Sequence, residues 1–431
     1  MPREGPPSAV APPTQPLPHR ERPRVPHERT GIGRPLVAAG PPRRTPPSVA
    51  LLGSFPPREC GIATFTRDLQ SALEAPGHGL AGIVAVDEPG ADRVYGPDVR
   101  WRLDQADHDS YRRVAEQLNA EADVLCIQHE YGLYGGTQGE YLLTLIEALD
   151  IPVVTTLHTT LGSPSQDMHR VTRALCERSA GVVVLARAAI PLLGDVYGVP
   201  EGKVHFIPHG IPTVTRAVGL RRAAKTRLGL SGRTLLTTFG LIGPGKGIEY
   251  VVRALPDVVE AHPDLLYLVL GETHPGERRA TGESYRESLE ALVADLGLED
   301  HVAFDARYLS QEQLIRRLLA TDVYLMPYLN PEQIVSGTLA YAVGCGKAVI
   351  ATDFRYAREL LANGRGEIVP FRDAPAITGK LLDLLGNRDA LGRVERRAYE
   401  SSRSMQWPDV ARGYRALFAA VAVGVDHQRI A

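Results

Sequence analysis

The sequence predicts an α/β protein that is built from two lobes of parallel strand–helix units. Three observations support this prediction. The chain of 431 residues exceeds the roughly 100–200 residues of a single domain. Short apolar runs alternate with helical segments in two separate series, as in parallel βαβ units. A turn over 208–212 and a charged stretch over 216–227 separate the two series.

The first series begins with the apolar run Val49-Ala50-Leu51-Leu52-Gly53, which is typical of a buried parallel strand. A turn and a helix over 62–73 follow. Further strands are predicted over 80–86, 124–128, 152–157 and 181–185, with helices between them, for example over 111–120 and 141–149. We predict a Rossmann-like N-terminal lobe over 48–212.

The second series predicts a Rossmann-like C-terminal lobe over 213–403, with the boundary between the lobes near 212–232. Its strands are predicted over 234–239, 265–270, 302–305, 323–326 and 348–351, and its helices over 248–262, 284–296, 311–320 and 337–343.

Residues 1–47 have a different composition. They contain 14 of the 34 prolines, and eight arginines against three glutamates. Such a stretch buries too little apolar surface to offset the entropy of ordering it, so we predict a disordered Pro/Arg-rich tail. It is either an electrostatic tether to an anionic partner or membrane, or a solvated tail without a fixed role.

Bulk properties exclude several classes. The net charge of −2 gives no basic field for nucleic acid. The four cysteines are far apart without a CxxC pair, which indicates reduced thiols in a cytoplasmic protein. No apolar run reaches the roughly 18–20 residues that span a bilayer. We expect a cytoplasmic protein, with peripheral contact to the inner face of a membrane left open.

Two glycine loops follow predicted strands. Gly61 lets the backbone approach a ligand beside a helix N-terminus, although a tight turn alone would also explain it. Gly245-Lys246 combines a loop suited to phosphate with a mobile positive charge. Gly247 stands where a P-loop needs Ser or Thr for magnesium, which argues against an NTPase. The alternative for Lys246 is a surface lysine.

A third motif leads into the predicted helix at 337. The hydroxyl and amide groups of Ser336, Gly337 and Thr338 suit a phosphate at a helix start, although Ser336 could be a plain N-cap. Glu332, one turn earlier, could accept hydrogen bonds from sugar hydroxyls or be a solvated loop acid.

Three histidines stand at strand ends, where ligands of open α/β sheets bind: His129, His158 and His209. Each alone could be structural, but together they indicate a polar cleft. Glu130, beside His129, could orient an acceptor hydroxyl. The Asp107-His108-Asp109 triplet precedes a helix, so we interpret it as an N-cap cluster and predict no metal site.

These motifs occur in the order and spacing of the retaining family-four glycosyltransferases (glycosyl transferases group 1), which the chain resembles over roughly residues 48–425. The resemblance rests on the strand 235–239, the Lys246-Gly247 loop, the segment 332–352 and the turn Pro208-His209-Gly210, with 57–69 similar to an acceptor-side loop. It implies a GT-B fold, with two Rossmann-like lobes facing a central cleft. The helix within 404–431 would cross back to the N-lobe.

The resemblance also implies a chemistry without metal or cofactor. A hexosyltransferase of this kind moves a sugar, with retention, from a UDP-, GDP- or ADP-sugar to a glycan, lipid or small-molecule acceptor. His158 would lie near the donor sugar, Lys246 would neutralise the leaving diphosphate, and Glu332 would hold sugar hydroxyls. The remaining candidate residues are Gly61, Gly245, Ser336, Gly337 and Thr338 for the donor phosphates, and His129, Glu130 and His209 for the acceptor.

Two positions depart from the family pattern. Leu241 replaces an arginine. The second of two glutamates eight residues apart, which usually holds the ribose, is also absent. Glu332 would pair with Ala340, and an ungapped count back from Gly346 would instead pair Gln333 with Tyr341. A glycoside phosphorylase using phosphate or a sugar 1-phosphate therefore stays open. A non-catalytic sugar-binding protein is the third alternative, against which Lys246 and Glu332 argue.

Overall fold

The computed structural model describes residues 46–74 and 79–429, the last six of them by their backbone only. The tail predicted over 1–47 lies outside the described residues, except for Pro46 and Pro47.

The N-terminal lobe contains a seven-stranded parallel sheet in the order β3-β2-β1-β4-β5-β6-β7. Its central strands are apolar runs because helices cover both faces of a parallel sheet. The strands are β1 Val49–Gly53, β2 Leu80–Asp87, β3 Val99–Asp104, β4 Val124–His129, β5 Val153–Leu157, β6 Gly181–Val184 and β7 Val204–Phe206.

The C-terminal lobe contains a six-stranded parallel sheet in the order β10-β9-β8-β11-β12-β13. The strands are β8 Thr234–Phe239, β9 Leu265–Leu270, β10 Val302–Asp305, β11 Val323–Met326, β12 Ala348–Thr352 and β13 Glu367–Val369.

Fifteen α-helices occur in the described part of the chain. In the N-terminal half they are α1 Gly61–Leu73, α2 His108–Glu121, α3 Tyr141–Glu147, α4 Gln166–Arg178 and α5 Ala189–Tyr197. They continue as α6 Leu220–Arg227, α7 Ile248–Ala261, α8 Pro275–Thr281, α9 Ser284–Asp295, α10 Gln311–Ala320, α11 Gly337–Gly344, α12 Arg355–Leu360, α13 Ala374–Gly386, α14 Arg388–Ser401 and α15 Trp407–Arg429.

The predicted α/β fold with two Rossmann-like lobes is confirmed. Strands β8 to β11 and helix α10 have the predicted limits, but β3, β7 and β13 are absent from the prediction. Strand β3 alternates exposed arginines with the buried side chains of Trp101 and Leu103 because it lies at a sheet edge. Strands β7 and β13 have three residues each, too few for a pattern. The lobe limits 48–212, 213–403 and 404–431 stay predictions.

The final helix crosses back to the N-terminal lobe, as predicted. The hydroxyl of Tyr414 on α15 lies 3.0 Å from that of Thr156 on β5. At the crossing point, the amide of Ile211 donates to the carbonyl of Met405 at 2.8 Å, and the amide of Trp407 donates to the carbonyl of Ile211 at 3.2 Å. The two connections between the lobes therefore run side by side.

All four cysteines are free. Burial raises the pKa of the thiols of Cys126, Cys176 and Cys345 to about 12, so they stay protonated at neutral pH. Over the described part of the chain, no helix combines the length and apolar character that crossing a bilayer requires.

The crossing point requires a glycine at 210. A Cβ added there would lie 2.4 Å from the ring of the buried Trp407, far inside van der Waals contact. We expect Gly210→Ala to lower the free energy of unfolding by about 1–3 kcal/mol through overpacking, measured by urea denaturation. The control is Gly202→Ala, whose added Cβ meets no atom within 4 Å. Equal stability of the two variants would contradict this packing argument.

Candidate active site

A cleft of about 420 Å³ lies between the lobes, at the carboxyl ends of strands from both sheets. The strand order reverses around β1 in one sheet and around β8 in the other, and ligands of open α/β sheets bind at such switch points. From the N-terminal lobe, the wall includes Gly61, Glu130, His158 and His209. From the C-terminal lobe it includes Lys246, Gln333, Gly337, Thr338 and Tyr341.

Lys246 ends a short 3₁₀ turn that follows β8. Its Nζ donates a hydrogen bond to the Tyr328 hydroxyl at 2.5 Å and lies 3.8 Å from the centroid of that ring. The Tyr328 hydroxyl lies 3.2 Å from Oγ1 of Thr338, in the first turn of α11. The ammonium group is thus held beside a helix N-terminus, where free amides and the helix dipole favour an anion.

Two of the predicted phosphate residues, Ser336 and Gly245, make local structural contacts instead of lining the cavity that the described residues form. Ser336 is the N-cap of α11, and its Oγ accepts from the amide of Leu339 at 3.3 Å. The carbonyl of Gly245 accepts from the amide of Leu329 at 3.0 Å. Neither residue is in the wall that the described residues form. They support the loop and the helix start, while Lys246 faces the cavity.

His158 is held in one tautomer. Its Nε2 lies 2.9 Å from Oε1 of Gln128, whose amide nitrogen donates to the sulfur of Cys126 at 3.4 Å. Nε2 therefore carries the proton, and Nδ1 keeps the lone pair that can accept from a hydroxyl group. Burial lowers the pKa of His158 to about 3, so the ring is neutral at physiological pH.

His209 is oriented by the turn it belongs to. Its Nδ1 donates to the carbonyl of Gly210 at 2.8 Å. The acceptor nitrogen, Nε2, faces Gly337, where an added Cβ would lie only 2.9 Å away. Burial lowers the pKa of His209 to about 4. The turn after β7 thus presents a neutral imidazole to the start of α11.

His129 does not reach the cleft, although its predicted role as an acceptor-binding residue requires it to. Its ring is fully buried, parallel to the Tyr134 ring at 6.3 Å and edge-on to Tyr131 at 5.2 Å. Neither ring nitrogen has a hydrogen-bond partner among the described residues. Neighbouring residues of an extended chain point in opposite directions, so His129 faces the core while Glu130 faces the cavity.

Glu130 is an acid in the N-terminal wall. Its Oε2 accepts from the Thr159 hydroxyl at 2.8 Å, and its Oε1 accepts from the amide of Tyr131 at 2.9 Å. Burial raises the pKa of this carboxyl above its ordinary value, and the Thr159 hydrogen bond opposes that shift. Glu130 lies in the wall, and its contact with an acceptor hydroxyl stays a prediction.

Glu332 is not among the described residues that line the cavity, although it was predicted to hold sugar hydroxyls. Its carboxylate accepts from Nε of Arg355 at 2.8 Å, and its side chain is 40% exposed. Gln333 lies in the cavity wall instead, with its amide nitrogen donating to the carbonyl of Val335 at 2.7 Å. Tyr341 also lies in the wall. The pair Gln333 and Tyr341, which the ungapped count back from Gly346 gives, therefore lies in the wall. The pair Glu332 and Ala340 does not.

Several residues in or beside the wall are absent from the sequence prediction. Glu272 and His274, which follow β9, and Tyr308, which follows β10, lie in the wall. Tyr328 lies two residues after β11 and accepts the hydrogen bond of the wall residue Lys246. The position at strand ends, which identified the three histidines, would have identified these residues too. Chain position alone did not show that Tyr328 contacts Lys246, because the two are 82 residues apart.

The Asp107-His108-Asp109 triplet is an N-cap cluster, as predicted. Asp107 precedes α2 and accepts from the amide of Asp109 at 3.0 Å. Among the residues that the structure describes, no group of three His, Cys, Asp or Glu side chains could hold a metal ion.

Sequence comparison matches both lobes to known families. Residues 222–401 match the family described as Glycosyl transferases group 1, and residues 60–214 match the one described as Glycosyltransferase Family 4. Both lobes therefore match glycosyltransferase families, and the C-terminal lobe matches group 1. The two matched ranges lie on either side of the turn and linker that join the two sheets.

Two relatives of this chain are named for inositol compounds. One is the GDP-mannose-dependent alpha-(1-6)-phosphatidylinositol monomannoside mannosyltransferase of Mycolicibacterium smegmatis, 29% identical over 197 residues. That match covers 44% of this chain and only 48% of the relative. The other is the D-inositol 3-phosphate glycosyltransferase of Nocardia farcinica, 25% identical over 379 residues, covering 83% of this chain and 80% of the relative.

The fold of this chain is also that of solved GT-B structures. The Anabaena protein Alr3699/HepE, solved in complex with UDP and glucose, superposes with a TM-score of 0.66 at 17% identity. The superposition covers 86% of this chain and 98% of that protein. At this identity the likeness shows the shared fold alone.

The buried histidines predict a pH-dependent stability. Imidazoles in the unfolded chain titrate near 6.5, whereas the folded pKa is about 4 for His129, 3 for His158 and 4 for His209. Below about pH 6.5 the unfolded chain binds more protons, so stability is complete above that pH and is lost as the pH falls towards 4. Each histidine contributes up to about 1.4 kcal/mol per pH unit.

The measurement is the free energy of urea unfolding between pH 7.5 and 5. His129→Phe keeps a stacked ring without a titrating group and should reduce the slope by about one proton. The control is His108→Gln, which replaces an exposed histidine outside the core. An unchanged slope in His129→Phe would contradict a buried, neutral His129.

Proposed function

We propose that this chain is a retaining hexosyltransferase that moves a sugar from a nucleoside diphosphate sugar to a glycan, lipid or small-molecule acceptor. In this reaction the bond between the anomeric carbon and the β-phosphate breaks, and its electron pair leaves with the phosphate oxygen. The acceptor oxygen bonds to the anomeric carbon on the same face, and the acceptor proton passes to the departing phosphate.

The observation that supports this proposal best is the arrangement of Lys246, Tyr328 and Thr338 at the start of α11. Charge develops on the leaving diphosphate, and a preorganised ammonium group beside free helix amides stabilises it. Lys246 is the only Lys or Arg side chain in the wall formed by the described residues. The diphosphate would therefore lie between Lys246 and the amides of Gly337 and Thr338.

The opposite wall suits a neutral sugar. Nδ1 of His158 can accept from a donor-sugar hydroxyl, because Gln128 occupies Nε2. On the donor-lobe side, we assign the sugar contact to Gln333, which lies in the wall, in place of Glu332. Glu130 lies on the N-terminal side, where it would orient the acceptor hydroxyl, with His209 nearby.

The relatives guide the choice of donor. The Mycolicibacterium relative is GDP-mannose-dependent by name, and the Anabaena protein was solved with UDP and glucose. GDP-mannose and UDP-glucose are therefore the first donors to test, with inositol compounds among the first acceptors. We place the reaction in the cytoplasm, since the thiols are free, and expect any contact with a membrane to be peripheral.

Lys246→Ala tests the diphosphate site. In wild type, we expect one of UDP, GDP or ADP to stabilise the fold by about 2.7 kcal/mol at ~100 times its dissociation constant, measured by thermal denaturation. The variant should bind that nucleotide at least about tenfold more weakly, because a charged hydrogen bond is lost. Turnover of the matching sugar donor should fall about a hundredfold.

The control for this experiment is Lys380→Ala, which removes a lysine paired with Glu367 away from the cleft. It should bind and turn over like wild type. Stabilisation by phosphate or a sugar 1-phosphate, but by none of the nucleotides, would instead support the phosphorylase alternative. Turnover of neither substrate class would favour a sugar-binding protein.

Neighbouring variants test the sugar contact. Gln333→Ala should lower kcat/KM for the sugar donor by about tenfold, because a wall amide is lost, while the nucleoside diphosphate binds as before. Glu332→Ala should stay within about twofold, since its carboxylate pairs with Arg355 outside the wall. The measurement is the steady-state kcat/KM of both variants. A larger loss of kcat/KM in Glu332→Ala than in Gln333→Ala would assign the sugar contact to Glu332.

A further inference from the structure

A buried carboxylate connects the two lobes beside the cleft. Asp68 lies on α1 of the N-terminal lobe, and only 8% of its surface is exposed. Its Oδ2 accepts from the hydroxyl of Tyr341 at 3.1 Å and from the amide nitrogen of Gln311, both in the C-terminal lobe. Oδ1 accepts from the neighbouring Arg67 at 2.6 Å. Both oxygens of the carboxylate are therefore occupied.

The contact is a closed triangle of hydrogen bonds. The amide nitrogen of Gln311 also lies 2.9 Å from the Tyr341 hydroxyl, so each of the three side chains bonds to the other two. Buried polar groups that lose their partners are costly, and hydrogen bonds to a charged acceptor are the strong ones. This triangle therefore favours one specific placement of the lobes over many loose ones.

Helices α1 and α11, which carry Asp68 and Tyr341, also contribute to the cleft. Phe65 precedes Asp68 by three residues and so shares its face of α1, and its ring lies edge-on to His158 at 4.7 Å and to His209 at 5.2 Å. On α11, Tyr341 follows Thr338, beside the Lys246 site, by three residues. A displacement of α1 against α11 would therefore separate the sugar-facing wall from the phosphate-facing wall.

We propose that Asp68, Tyr341 and Gln311 are positioning residues, which hold the two half-sites in the register that glycosyl transfer needs. This inference rests on the proposed function for its effect on turnover. The Tyr341 hydroxyl is committed to Asp68 and Gln311, so Tyr341 contributes its ring to the wall and its hydroxyl to the bridge. The nucleotide contacts proposed above lie in the C-terminal lobe, so the bridge acts on turnover more than on nucleotide affinity.

The test is a double-mutant cycle of Tyr341→Phe and Asp68→Ala. Tyr341→Phe keeps the ring and removes only the hydroxyl. Each single variant should lower kcat by about tenfold, because the rate falls steeply when the two walls of the cleft are out of register. The dissociation constant of the nucleoside diphosphate should stay within about twofold of wild type. The double variant should be no more than about twofold slower than the slower single variant, since both changes break one bridge.

Arg67→Ala is the matched control, because it removes a partner of the same carboxylate from the same helix without touching the bridge. It should keep kcat within about threefold of wild type. Wild-type turnover in Tyr341→Phe, or losses that multiply in the double variant, would overturn the proposal. A purely structural role would lower the unfolding midpoint and leave kcat per folded molecule unchanged, which would also overturn it.

Small-angle scattering separates this inference from the proposed function. If the bridge holds the lobes, Tyr341→Phe and Asp68→Ala should show a larger radius of gyration than wild type and Arg67→Ala. Should wild type turn over no nucleotide sugar, the proposed function fails, and larger dimensions in the two bridge variants still support the bridge. A radius of gyration equal to that of wild type in both bridge variants would overturn the proposed role of the bridge.

Discussion

Phe65 occupies the point at which the parts of this fold meet. Its ring lies edge-on to His158 after β5, to His209 after β7 and, at 5.2 Å, to Trp407 at the start of the crossing helix. The ring is almost fully buried. Edge-to-face packing fixes ring orientation as well as distance, so one side chain of α1 sets the position of two cleft residues and of the returning helix. Gly210 allows this packing because it leaves room for the Trp407 ring.

The cleft combines a mostly uncharged wall with one fixed cation. His158 and His209 are neutral because burial disfavours their charged forms, and hydrogen bonds to Gln128 and to the carbonyl of Gly210 select their tautomers. Lys246 holds the positive charge at the other side, beside the start of α11. Such a division suits a substrate with an anionic end and a neutral, hydroxyl-rich end, which is the chemistry of a nucleotide sugar.

The most regular elements were the easiest to predict. Strands β8 to β11 are short apolar runs between turn residues, and their limits followed from the pattern. The edge strand β3, with its alternating arginines, and the three-residue strands β7 and β13 were missed because they bury too little surface to leave a signal. In the site, strand-end positions identified His158, but they also suggested His129, which faces the core.

The sequence by itself determined the two-lobed α/β fold, the family resemblance, and the loops that meet at the cleft, because these depend on local periodicity, glycine placement and motif spacing. The tertiary structure decided which neighbour of a pair faces the cavity, as with Glu130 against His129 and Gln333 against Glu332. It also revealed the bridge from Asp68 to Tyr341, 273 residues apart. Which of two neighbours faces the cavity depends on how each strand end sits in its sheet, and long-range contacts depend on how the lobes pack. A single sequence records neither.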